Sequence, residues 1–140
     1  MEILDMKCAE YGNKIVSEID NAAKERNKIE TMITKTLGVL QEDGVYAFAL
    51  YSKSKSGDGN TEKKTAMLIF NKTFELLKAD KIGILPETCN DFLLGIRQSL
   101  AEGKDLDKLF LAKELLERTL VYARYHAKAL DIGSSGGGAS

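Results

Sequence analysis

Proline occurs once in this chain, as Pro86, and histidine once, as His126. With few breakers and few turn dipeptides, long segments are free to be helical. None shows sustained strand alternation, so an all-α fold is expected. The two cysteines are equally sparse. Cys8, Cys89 and His126 together fall one short of the four ligands of a structural zinc site, and their spacing fits no zinc motif. Both thiols are read as small, buried and reduced, which suits the cytoplasm. No run approaches the roughly 18 apolar residues of a membrane span. Glu2 and Asp5 stand where the cationic segment of a secretory leader belongs, so a cytoplasmic protein is expected.

Charge of one sign is also lacking. Lys and Arg number 20 against 21 Asp and Glu, giving a net charge of -1 and a pI near 5.9. A free-standing nucleic-acid binder is usually basic overall, so the balance points instead to local patches. The usual phosphate cradles, GxxxxGK[ST] and a strand-borne GxGxxG, are missing. The GDG at Gly57–Gly59 has no acidic ligands at calcium-loop spacing. Glu114 and Glu117 share part of a helix surface, as many solvated carboxylates do. No cofactor and no catalytic residue are therefore assigned.

What is present is helical periodicity in 140 residues, with 44% hydrophobic composition. This describes one compact bundle of about five to six helices over residues 1–132. The Gly/Ser run GSSGGGAS at 133–140 is read as a disordered, appended tail. The first helix is expected from Glu2 to Arg26, with Ile3, Met6, Ala9, Ile15, Ile19, Ala22 and Ala23 inward. The second starts near Lys28 on a stripe of Ile29, Met32, Ile33, Leu37 and Leu40, and Gly44 breaks it. A third spans Val45–Lys53. The loop SKSGDGN follows, with Asn60 or Thr61 as the next cap. The fourth helix covers Thr61–Ala79, burying Ala66, Ile69, Phe70, Phe74 and Leu77. The fifth is expected to open at Pro86, a favoured first-turn residue, and to turn Phe92, Leu93, Ile96 and Leu100 inward. Gly103 stops it, and Asp105 caps a last helix over Leu106–Asp131.

Two basic clusters stand out. Lys53, Lys55, Lys63 and Lys64 flank the long loop. On the last helix Arg118, Arg124 and Lys128 follow Glu117, and Arg118, Tyr122 and Tyr125 share a face by their spacing. Cations beside aromatics can hold phosphate and stack bases. The same residues also suit a plainer role: tyrosines at helical spacing form core edges, and cations complement a helix C-terminus. The stretch VYAFALYSKSK (Val45–Lys55) is apolar almost all round, so its aromatics are expected in the core and its lysines in water.

Two blocks, LQEDGVYAFALYSKS (Leu40–Ser54) and LERTLVYARYHAKAL (Leu116–Leu130), resemble the small subunit of the Cmr-type (type III-B) CRISPR effector complex. Gly44, Phe48, Ser52 and Lys53 carry the first likeness; Glu117, Tyr122, Ala127 and Ala129 carry the second. The chain lacks the family's proline before that glycine and its tryptophan in the last helix. Csm-type and archaeal Cascade-type small subunits are similar short helical bundles. The resemblance implies a non-catalytic prokaryotic protein of antiviral defence. It would stack beside backbone subunits and touch guide RNA and target nucleic acid without reading their sequence. The contact candidates are then Lys53, Lys55, Lys63, Lys64, Arg118, Tyr122, Arg124 and Lys128. A helical adaptor that binds only protein is the alternative, and a small enzyme using His126 a third.

Overall fold

The computed structural model describes residues 2–100 and 106–130, and among these every regular element is a helix. The six are α1 (Glu2–Ser17), α2 (Arg26–Asp43), α3 (Val45–Ser54), α4 (Thr61–Lys78), α5 (Phe92–Ser99) and α6 (Leu106–Ala129). Four of them close a ring: α1 on α6, α6 on α2, α2 on α4, and α4 back on α1. The shorter α3 lies on α2 and α4, and α5 packs on α3. This is an all-α bundle, as the periodicity predicts.

The middle of the chain follows its sequence closely. On α2, Ile29, Met32, Ile33, Leu37 and Leu40 are all buried, one face of a 3.6-residue repeat. Gly44 sits at φ 96°, a conformation that side chains with a Cβ resist, and its N–H closes α2 onto the Leu40 carbonyl. The same residue opens α3. That helix buries Val45, Phe48, Ala49 and Ser52 but leaves Tyr46 and Leu50 exposed. Its aromatics therefore divide between core and surface, where a helix covered on most sides was expected.

Asn60 is the cap of α4. Its side-chain carbonyl accepts the Lys63 N–H at 2.9 Å, satisfying a donor that the first helical turn leaves without a partner. Asn60→Ala should cost about 1 kcal/mol by urea denaturation, and Asn60→Asp should keep most of that stability. A loss from Asn60→Asp equal to that from alanine would argue against the cap.

Two boundaries differ from expectation. The first helix stops at Ser17 rather than Arg26. Residues 18–25 turn instead, with Asn21 at φ 55° and its carbonyl accepting the N–H groups of Lys24 and Glu25. Asparagine tolerates the left-handed region better than most residues, so no glycine is needed there. Ile15 and Ile19 are buried as expected, but the inward face of α1 otherwise differs. It is Cys8, Tyr11, Gly12, Ile15 and Val16, and Met6 is 68% exposed. At the other end, Pro86 does not open α5. It sits in a turn whose carbonyl accepts the Cys89 N–H, and Asp91 caps the helix by accepting the Leu94 N–H at 3.1 Å. Cys8 is fully buried, whereas Cys89 is half-buried, and both are free thiols. The expectations for Gly103, Asp105, Asp131 and the 133–140 tail lie outside the described residues.

Among the described residues five serine and threonine hydroxyls lie in the core, and each returns its proton to its own helix. Thr36, Ser52, Thr65, Thr73 and Thr119 donate to the carbonyls of Met32, Phe48, Thr61, Ile69 and Leu115. Among the described residues no buried side-chain polar atom lacks a partner.

Candidate nucleic-acid interface

The loop between α3 and α4 presents the first basic cluster. Gly57 and Lys63 hold it closed, the Gly57 N–H donating to the Lys63 carbonyl at 3.2 Å. Lys53, Lys55 and Lys63 are exposed and Lys64 is half-buried. Lys55 Nζ lies 5.6 Å from the Tyr51 ring and Lys53 Nζ 5.9 Å from the Phe70 ring. Among the described residues none of these four lysines is in an ion pair. Their charge is free to meet an anion, and the aromatic rings beneath keep their stems against the protein.

The cations of α6 are divided. Arg118 donates to Asp5 and to Glu114, both at 3.0 Å, and the Tyr122 hydroxyl donates to Asp5 at 2.6 Å. The Tyr122 hydrogen bond, with help from Arg118, holds the Asp5 carboxyl below its usual range. The same bond from Asp5 pushes the Tyr122 phenol up, and Asp5 raises Arg118 further. These two side chains are committed to joining α1 to α6. They line a groove of about 700 Å³ that also receives Glu114, Glu117 and Lys113, so that surface is mixed in charge rather than basic.

Lys128 belongs to a different place, with Arg124 one turn before it. Lys128 Nζ lies 3.3 Å from Glu30, and Arg26 donates to the Leu130 carbonyl at 2.8 Å. The end of α6 is thereby fastened to the first turns of α2. The start of α4 is fastened there too, since the Thr61 hydroxyl donates to Glu25 at 2.8 Å. Lys63 and Lys64 on one side and Lys128 on the other thus flank the same turns of α2. Lys24 and Lys28, in the same stretch of chain as Glu25, are exposed. Glu25 and Glu30 neutralise part of this end, Glu25 also pairing with Lys28 at 3.4 Å.

The structure therefore joins the loop lysines to Lys128 at one end of the bundle and leaves Arg118 and Tyr122 in a separate groove. Lys24, Arg26 and Lys28 were not singled out from the sequence, although the run KERNK (Lys24–Lys28) carried the signal. His126 is half-buried on α6. Among the described residues no group of three or more His, Cys, Asp or Glu could hold a metal, and no helix is long and apolar enough to cross a membrane. No protein-family model and no curated protein matches the chain.

Proposed function

We propose that this protein is a non-catalytic subunit of a nucleic-acid-guided effector complex, of the Cmr small-subunit kind that its two blocks resemble. It grips the sugar-phosphate backbone of guide and target through the basic end of the bundle. The observation that carries the reading is the gathering of Lys53, Lys55, Lys63 and Lys64, without ion pairs among the described residues, at the end where α2 also meets Lys128. Lysine is a point charge on a flexible stem, which suits phosphate contacts that ignore sequence. The net charge of -1 is then no obstacle, because the cations are local.

Binding of single-stranded RNA of mixed sequence, followed by fluorescence anisotropy across a salt series, tests this. The isolated protein should bind weakly, with affinity falling as salt rises. Changing Lys53, Lys55, Lys63 and Lys64 together to Glu should weaken binding at least about tenfold. The salt slope should flatten by about 0.7 for each phosphate that is no longer neutralised. Unchanged affinity in that variant removes the loop from the interface.

A second reading, a helical adaptor that touches only protein, is favoured by one observation: the outer face of α6 exposes Leu106, Phe110, Val121 and Tyr125. Affinity purification from the source cells, with and without nuclease, separates the two. A co-purifying short RNA and backbone subunit supports the effector reading; protein partners with no RNA in either arm support the adaptor.

A further inference from the structure

The outer face of α6 has no partner among the described helices. Leu106 is 59% exposed, Phe110 61%, Tyr125 62% and Val121 38%. At 100° per residue these four fall on one side of the helix, over a length of about 30 Å. An apolar strip of that length on the surface marks an interface. Its charges say what covers it.

Outward along the strip, the order is Asp107, Phe110, Glu114 and Glu117, then Arg118, Val121, Tyr125 and Lys128. The first half is acid and aromatic, and the second is aromatic and base. Turning a copy of the helix end over end about a point between Glu117 and Arg118 sets Asp107 against Lys128, Phe110 against Tyr125, Glu114 against Val121 and Glu117 against Arg118. Two-fold symmetry makes each of these contacts twice. Sliding one helix a turn toward its N-terminus keeps Phe110 on Val121 and brings Asp107 to Arg124, but it sets Glu114 against Glu117 and Lys113 against Arg118, like against like. A parallel arrangement on a two-fold axis sets every charge against itself. Of these three arrangements only the first sets no charge against its like. Asp107 and Glu117 have no ion pair among the described residues. Their cations already pair within the chain, Arg118 with Asp5 and Glu114 and Lys128 with Glu30, but both stay partly exposed, so across the axis each is shared with a second carboxylate.

We propose that two copies of this chain pair along α6 in antiparallel register, with the two-fold axis between Glu117 and Arg118. The contact is isologous, so it closes on itself as a dimer. It leaves the loop lysines uncovered at opposite ends of the pair. The inference does not depend on nucleic-acid binding and is tested without it.

Nuclease-treated protein is examined by sedimentation velocity over a concentration series. The wild type should form a dimer with a dissociation constant in the micromolar range. Asp107→Lys should weaken it about tenfold or more, and adding Lys128→Asp to that variant should restore it to within about threefold. Phe110→Glu should be a monomer with an unchanged circular dichroism spectrum. In a Cys89→Ser background, Glu117→Cys should oxidise to a cross-linked dimer, because its symmetry mate lies across the axis, while Phe110→Cys should not. A wild type that stays monomeric at about 100 μM overturns the proposal. So does cross-linking through position 110 rather than 117, or a double charge swap that fails to restore pairing.

Discussion

Gly12→Ala should destabilise the bundle by about 2 kcal/mol, and Gly12→Val should prevent folding at physiological temperature. In isolation the first change would help: alanine in a helix interior is favoured over glycine by about 1 kcal/mol. The tertiary contact reverses the sign. A Cβ at position 12 would lie 2.8 Å from the Ala123 nitrogen, 2.9 Å from the Thr119 carbonyl oxygen and 2.9 Å from the Tyr122 Cβ. Two of those obstacles are backbone atoms, and a backbone cannot rotate away as the tip of a lysine can. Relief requires α1 and α6 to separate along their whole contact, which is the most extensive in the bundle. One turn earlier Cys8 makes the same close approach, its Sγ donating to the Leu115 carbonyl at 3.5 Å. Separation would also strain the ties of Arg118 and Tyr122 to Asp5. Urea denaturation followed by circular dichroism gives the result. If Gly12→Ala left stability unchanged or raised it, the close approach would not be a constraint on the fold.

Gly12 also shows what the sequence withholds. Read along the chain it is only a weak residue inside a helix. Its reason for being there is α6, more than a hundred residues away. The elements that were legible are those whose signal is local. The stripe of α2, the break at Gly44 and a cap at Asn60 or Thr61 each act within a few residues. The end of α1 was missed because Asn21 makes the turn without a glycine or proline. The start of α5 was missed because Pro86 looks like a first-turn residue, while the polar pair Asn90–Asp91 beside Phe92 holds the actual cap.

The candidate interface divides along the same line. Lysines around a Gly-rich loop are visible as a cluster because they are neighbours in sequence. That Arg118 would be held by Asp5 was not visible, since the pairing joins the two ends of the chain. Nor was the meeting of Thr61 with Glu25 and of Lys128 with Glu30, which brings the basic clusters to one end. The apolar strip on α6 was hidden for a different reason. A helix that covers a core on one side and carries Phe110 and Tyr125 on the other has no clean polar face, and its periodicity does not say which side faces water.

Phe92→Ala should cost about 3–5 kcal/mol, and the damage should begin at α5. Phe92 is 1% exposed and stacks on Phe74, ring centroids 4.9 Å apart and planes 8° apart. It also meets Phe70 at 5.3 Å. Such pairs add about 0.5–1.5 kcal/mol beyond the area they bury. The ring matters because few other ties hold this segment to α4. One is Lys78 Nζ donating to the Cys89 carbonyl at 3.0 Å; another is the Leu85 N–H on the Leu77 carbonyl at 2.9 Å. Losing the ring should free residues 84–100 before α1, α2 and α6 part. Amide hydrogen exchange of the variant should then quicken across α5 while those three helices keep their protection. A uniform loss of protection would make α5 part of one cooperative core. A stability change under about 1 kcal/mol would mean that the aromatic cluster anchors nothing. The consequence reaches the basic end as well. Phe70 lies beneath Lys53, and α5 packs on α3, which carries Lys53 toward the loop. Loosening α5 should therefore lower RNA affinity without removing any cation, an effect that charge reversal of the loop cannot imitate.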